Sequence, residues 1–128
     1  MSKQIIHTES SPAAVGPYSQ AVVSGPGKMV FLSGQLGLDP ESGELVSDNF
    51  EAQVRQAFKN MQAVIEAAGG DLNSIVKLTL YLTDLSKFAS ANAIMAEIVP
   101  EPYPSRTTIE VSALPKGGQF EIEAIIVV

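Results

Sequence analysis

Arg106 is the residue of this chain with the most evident chemical use. It follows the turn Tyr103–Pro104–Ser105 and sits among hydroxyls (Ser105, Thr107, Thr108), with few other cations near it in sequence. A guanidinium in that setting suits a two-point grip on a carboxylate, because its planar fork matches the two oxygens. The same residue could instead be a structural cation paired with Glu110 or Glu123. Those glutamates point to the second place of interest. Glu121 and Glu123 are two residues apart in Phe120–Glu121–Ile122–Glu123–Ala124 and share one face of any strand formed there. A carboxylate among apolar neighbours is held toward its neutral form and can serve as acid or base on a water. The plain alternative is a solvent-facing edge, and parity alone does not say whether Arg106 meets either glutamate, since a one-residue register slip exchanges faces.

Two backbone features accompany them. Ser33–Gly34–Gln35 interrupts a good strand with glycine, the mark of a bulge or of a close approach to the backbone. Gly16–Pro17–Tyr18–Ser19 places an aromatic hydroxyl just after a rigid turn. The lone histidine, His7, has no partner that would make it a ligand or base, and the chain has no cysteine. Thiolate catalysis, disulfides and Cys-ligated metals are therefore excluded, and so is a His-rich metal site within one chain. Neither G-x-G-x-x-G nor a P-loop occurs, so a nucleotide cofactor has no recognisable cradle. A catalyst built here works with Arg, Glu, Tyr, hydroxyls, backbone groups and water.

The elements that position these residues follow from periodicity. Lys3–Thr8 is extended, Ser10–Pro17 is too turn-rich for a helix, and Ala21–Ser24 with Met29–Leu38 reads as a hairpin around Gly25–Lys28. After the Asp39–Glu44 turn, Phe50, Val54, Ala57, Phe58, Met61, Val64, Ile65 and Ala68 form one apolar stripe of a helix of about 20 residues, with Asp48 and Glu51 as a capping box and Gly69–Gly70 as its stop. Ile75–Thr83 alternates, with Val76, Leu78, Leu80 and Leu82 on one face and Lys77, Thr79, Tyr81 and Thr83 on the other. Asp84 would cap a second helix reaching Val99 and burying Leu85, Phe88, Ala91, Met95 and Ile98, before strands at Arg106–Val111 and Gln119–Val127. The order is that of two helices, both of which can pack on one face, on a mixed sheet in an α/β or α+β sandwich. Its second face, with Thr79, Tyr81, Ile125 and Val127, is too apolar for open water and predicts a homo-oligomer.

A chain of 128 residues has room for one domain, taken here as 1–128. It is 45% hydrophobic and only 17% charged, which rules out a disordered chain. The net charge of −6 and the absence of a basic run argue against a nucleic-acid surface. MSKQIIHTES lacks the apolar core of a signal peptide, and no apolar run approaches membrane-spanning length. The expectation is a cytoplasmic protein with no membrane association.

The stretches AVGPYSQA, FLSGQ, GE at 43–44, NMQAVIEAAG, VKLT with YLTDL, YPSR and LPK with EIEA resemble, in order and over essentially the whole chain, the reactive intermediate deaminases, the RidA or YjgF family, also called endoribonuclease L-PSP. The resemblance implies a chorismate-mutase-like α+β sandwich, assembled as a homotrimer with clefts between subunits. It also implies cofactor-free hydrolysis of enamines and imines such as 2-aminoacrylate and 2-aminocrotonate to 2-oxo acids and ammonia. Arg106 would clamp the substrate carboxylate, Glu121 would hold and polarise the attacking water, and Tyr18 would line the cleft. Phe88 would form a hydrophobic wall, with Ser33, Gly34 and Thr108 contacting the substrate, the last two through their backbone. No metal is implied. Two departures stand out: Thr108 replaces a common cysteine, and Asn92–Pro102 is shorter than the usual run before Pro-x-Arg and lacks its aromatic pair. The second bears on the pocket rim. A module that binds a 2-oxo acid or similar carboxylate without turnover is the alternative, using the same Arg106. RNA cleavage fits poorly with the acidic balance.

Overall fold

The computed structural model describes residues 3–128; Met1 and Ser2, the head of the N-terminal stretch read above, lie outside it. Its elements are β1 (Gln4–Ile6), β2 (Ala21–Val23), β3 (Met29–Phe31), β4 (Gln35–Leu36), α1 (Phe50–Ala67), β5 (Ile75–Leu82), α2 (Phe88–Ile98), β6 (Ser105–Glu110) and β7 (Phe120–Val127). β7 lies between β5 on one side and β3 with β4, end to end, on the other; β6 completes the sheet at the far edge of β5. Only β5 and β6 run parallel, because α2 carries the chain across between them. Two helices on a mixed sheet is the α+β arrangement that the family resemblance implied.

The core forms where the helix stripes meet the inward face of the sheet. Val54, Phe58, Met61 and Ile65 of α1 and Ala91, Ile94 and Met95 of α2 close over Leu78, Leu80, Ile122 and Ala124. Phe120 stacks on Phe58 at 6.0 Å and meets Phe50 edge-on at 6.2 Å. Each such large side chain contributes about 1.5–3 kcal/mol by leaving water. Gln53, buried in the stripe, has both ends satisfied: its amide donates to the Ser47 carbonyl at 2.9 Å and its oxygen accepts from Gln119 N–H at 2.9 Å.

Several local readings are corrected. Ala21–Ser24 and Met29–Leu38 do not form a hairpin. β2 pairs with β1 in a separate ribbon, while Lys28 and Val128 exchange both backbone hydrogen bonds, at 2.7 and 2.9 Å, and so lead β3 onto β7. The helix cap is Asn49, whose side chain accepts from Ala52 N–H at 2.9 Å, not Asp48. Asp84 caps a single 3₁₀ turn, Leu85–Lys87, and α2 starts after it, which leaves Leu85 exposed. In the stripe of α1, Val64 is also exposed. A bulge at the start of β5 sets Ile75 rather than Val76 in the core. Val127, expected on the second face, is buried, with its methyl against the Gly27 turn.

The second face carries Thr79, Tyr81, Glu121, Glu123 and Ile125, all half-buried, beside Met29 and Phe31 at 58% and 69% exposed. A hollow of about 190 Å³ lies there between Phe31, Lys77, Thr79, Glu123 and Ile125. No helix among the described residues is long and apolar enough to cross a membrane.

Candidate active site

The strand register places Arg106. In the parallel pair, Arg106 stands opposite Leu78 and Thr108 opposite Leu80, so both point to the side of the sheet that the helices cover. β6 is an edge strand, and its Arg106 side chain emerges beside the start of α2. Nη1 donates to Asn92 Oδ1 at 2.6 Å and to the Met95 sulfur at 3.6 Å. The guanidinium carbon lies 4.9 Å from the Tyr18 ring centre and 5.4 Å from that of Phe88. Rings at that range attract a cation through their negative faces. Burial lowers the proton affinity of Arg106 from its ordinary value, with Tyr18 acting in the opposite direction, and a guanidinium so shifted is still a cation.

The Tyr18 segment is fastened to the root of β6. Tyr18 N–H donates to the Gly16 carbonyl at 2.8 Å, and the Tyr18 hydroxyl accepts from Val15 N–H at 3.2 Å. Next to it, Ser19 N–H donates to the Pro104 carbonyl at 2.9 Å and the Ser19 hydroxyl to the Tyr103 carbonyl at 2.5 Å. Gly16 lies at this crossing: a Cβ there would sit at ordinary contact distance, 3.5–3.6 Å, from Asn92, Arg106 and Tyr18. The result is an open cavity of about 220 Å³ lined by Val15, Tyr18, Phe88, Arg106 and Thr108. Thr108 Oγ1 is buried at this site without a hydrogen-bond partner among the described residues.

Arg106 has no carboxylate partner among the described residues, whose two ion pairs are Arg55–Glu97 and Lys116–Glu44. The structural pairing weighed from the sequence is therefore absent. Glu110 accepts from Leu85 N–H at 2.9 Å, and Glu123 accepts from the Tyr81 hydroxyl.

Glu121 stands elsewhere. It pairs with Tyr81 of β5 and Leu36 of β4, on the face away from the helices. Burial raises its carboxyl above the ordinary range, and the neighbouring charge of Glu123 adds to the effect. The Tyr81 hydroxyl that donates to Glu123 is itself pushed up, first by that bond. Ser33 and Gly34 fill a bulge. Four steps from Phe31 to Gln35 oppose three from Ile125 to Ile122. The Glu121 carboxylate crosses Gly34 closely: a Cβ there would come within 2.8 Å of the carboxyl carbon and would displace that side chain.

The seven residues singled out in the sequence thus fall into two groups. Tyr18, Phe88, Arg106 and Thr108 share one cavity; Ser33, Gly34 and Glu121 share the opposite face of the sheet. His7 is exposed at the N-terminal ribbon. Sequence reasoning missed Asn92 and Met95, the anchors of Arg106, and Tyr81, the donor to Glu123. The spacing Phe88, Asn92, Met95 is i, i+4, i+7, one face of α2, and would have aligned Asn92 with a residue already chosen. Among the described residues no group of three or more His, Asp or Glu side chains is placed to hold a metal ion.

Comparison with known proteins agrees with this architecture. The family model "Endoribonuclease L-PSP" matches residues 8–128. The chain is 41% identical over 125 residues to the human 2-iminobutanoate/2-iminopropanoate deaminase, covering 98% of this chain and 90% of that protein. It is 47% identical over 123 residues to the chloroplastic Reactive Intermediate Deaminase A of Arabidopsis thaliana, covering 96% of this chain and 65% of that one. The crystal structure of RidA from the Antarctic bacterium Psychrobacter sp. PAMC 21119 superposes with a TM-score of 0.77 at 51% identity, covering 98% of this chain and 99% of that one. With the family model spanning nearly the whole chain and these relatives aligned along it, this protein belongs to the RidA/YjgF family, the family of the endoribonuclease L-PSP model.

Proposed function

We propose that this chain is a hydrolytic deaminase of small 2-imino and 2-enamino acids, 2-aminoacrylate and 2-aminocrotonate among them. It acts as one domain over residues 1–128, in a cytoplasmic homotrimer whose sites lie between subunits. The observation that carries the reading is the uncompensated, half-buried guanidinium of Arg106 over two aromatic rings, in a cavity open to a small ligand. Such a cation selects a carboxylate, the name of the relative at 41% identity points to which carboxylates, and that of the relative at 47% identity to deamination.

The chemistry asks little more of the protein. With the carboxylate held by Arg106, the C2 carbon of the imine is fixed and already electrophilic. Glu121, whose raised proton affinity makes it a better base than an ordinary carboxylate, accepts a proton from water as the water oxygen bonds to C2. The C=N electron pair moves onto nitrogen, which takes up a proton. The resulting carbinolamine collapses to the 2-oxo acid and releases ammonia. An enamine joins the same route once C3 is protonated. The sum is imino acid plus water giving 2-oxo acid plus ammonia, with no cofactor. Ser33, Gly34 and Thr108 contact the substrate, and Tyr18 and Phe88 close the walls.

Arg106 and Glu121 face opposite sides of the sheet in one chain, so a single copy does not bring both to one substrate. This supports the trimer. A neighbour seated against the half-apolar second face would cover Met29 and Phe31 and meet the Arg106 edge of one copy with the Glu121 face of another. The deciding experiment follows 2-aminoacrylate, generated in situ, through a coupled assay. Arg106→Ala should lose roughly 100-fold or more in kcat/KM with the assembly intact. Full activity in that variant would sink the assignment. Glu121→Gln separates enzyme from binding module: activity should fall while affinity for a 2-oxo acid stays near wild type.

A further inference from the structure

Every hydrogen-bond partner of the Arg106 guanidinium among the described residues is neutral. Nη1 donates to the Asn92 amide oxygen at 2.6 Å and to the Met95 sulfur at 3.6 Å. No carboxylate among the described residues reaches it; the acids near it in sequence or register, Glu110 and Glu123, are engaged by Leu85 N–H and the Tyr81 hydroxyl. This is uncommon company for a half-buried cation, since buried charges ordinarily find a counter-ion. An amide oxygen fixes the donor's position as well as a carboxylate oxygen does, but adds no opposing charge. An Asp at the same point would orient the fork equally and cancel the charge that a ligand carboxylate needs.

Asn92 is well placed to do this. It lies on α2 one turn after Phe88 and one turn before Met95, so a single helix face supplies a wall of the cavity and both anchors of the guanidinium. Its amide nitrogen is 3.5 Å from the point a Cβ on Gly16 would occupy, and that same point is 3.6 Å from Arg106 Nη2 and from the Tyr18 ring. The helix, the Tyr18 turn and the edge strand therefore converge on one side-chain amide.

We infer that Asn92 is a positioning residue: it sets the Arg106 fork through an uncharged acceptor and so keeps the full positive charge for the carboxylate of a bound acid. The inference rests on the proposed reading for the identity of the substrate, not for the requirement that the ligand be a carboxylate.

The test uses the full chain, with 2-oxobutanoate as a non-reacting carboxylate in titration calorimetry, alongside 2-aminoacrylate kinetics and thermal melting. Asn92→Asp should fold and melt at or above wild type, because the bond to Nη1 persists and gains charge. Its affinity for 2-oxobutanoate should fall about 10–100-fold, and KM should rise to match with kcat little changed, the pattern of lost uniform binding. Asn92→Ser, too short to reach Nη1 but uncharged, should lose only about 3–10-fold. A folded Asn92→Asp variant with wild-type affinity and KM would overturn the inference, since a merely structural amide tolerates that exchange. Should Asn92→Asp fail to fold, Asn92→Ser with wild-type affinity overturns it in the same way. If the wild type binds 2-oxobutanoate, Arg106→Ala and Asn92→Asp do not, and none of them hydrolyses 2-aminoacrylate, the deaminase reading falls and the role of Asn92 stands.

Discussion

The Arg106 edge and the Glu121 face are built on opposite principles. Arg106 is a cation under aromatic rings, held by an amide and a sulfur, with no carboxylate partner among the described residues. Glu121 is a carboxylate pressed beside a second one on a half-covered sheet face, and its neighbour Glu123, rather than Glu121 itself, receives the Tyr81 hydroxyl. One region keeps its charge available by excluding counter-ions. The other makes its charge expensive, by burial and by like-charge repulsion, and so makes the group more basic. A carboxylate ligand wants the first and a water to be deprotonated wants the second. The two stand on opposite faces of the sheet, so on the proposed reading one copy does not bring both to one substrate.

The sharpest way to break this comparison is to give each half a different chain. Arg106→Ala and Glu121→Gln, each nearly inactive, are unfolded together in equal amounts and refolded. If a site takes its arginine from one copy and its glutamate from the next, random assembly restores about one quarter of the sites, since each of two independent choices succeeds half the time. Recovery of about a quarter of wild-type activity is expected, against a background some 100-fold lower for either parent. A mixture no more active than its parents would show that both groups serve one substrate from one chain, or that the pair is not the machinery.

A smaller effect distinguishes the two regions by their glycines. At Gly34 an added methyl would run into the Glu121 carboxylate, the movable end of a side chain, whereas at Gly16 it would meet Asn92, Arg106 and Tyr18 only at ordinary contact distance. Gly34→Ala should therefore displace Glu121 and lower kcat about tenfold, a modest misplacement of the base, with little change in melting temperature. Gly16→Ala should leave kcat within about twofold of wild type. Equal losses in the two variants would contradict the assignment of the water-activating role to Glu121.

How much of this was legible in the sequence depends on which interaction decided each feature. Period-two alternation put Glu121 and Glu123 on one face, and the helix stripe from Phe50 to Ile65 met the core except at Val64, which is exposed. The helix start was misplaced by one residue: Asn49, not Asp48, supplies the cap, through a local bond to Ala52 N–H. Gly25–Lys28 is good hairpin chemistry, yet the paired bonds between Lys28 and Val128 carried β3 to the opposite end of the chain. A bulge, invisible to strict alternation, exchanged Val76 for Ile75 in the core. For the site, residue types and the family's motifs named both groups, but their separation was not readable, because it depends on the register of β6 against β5 and of β5 against β7. Asn92 was missed because its one signal, the helical spacing to Phe88, gains a meaning only once the helix is seated on Arg106.

The smallest predicted effect concerns stability, and it sets the two halves apart in sign. Glu121 has a folded-state proton affinity raised by burial and by Glu123. A group raised on folding favours the native state while it is protonated, and this contribution is lost as pH rises from the unfolded carboxylate value through the higher folded one. Wherever Glu121 is ionised in the folded chain its charge is therefore a cost to stability. Glu121→Gln keeps the shape and removes the charge, so it should raise the melting temperature at pH 7 by a few degrees at most, about what a sub-kcal change produces in a domain of this size. The gain should shrink as pH falls toward the carboxylate range and wild-type Glu121 takes up its own proton. Activity should decline over the same acid range, as the base is lost. Thermal melts of both proteins from pH 4 to 8 check the sign: a Glu121→Gln variant less stable than wild type at neutral pH would mean that Glu121 is held by partners that reward its charge, and that the sheet face was built to bind that charge rather than to make it basic.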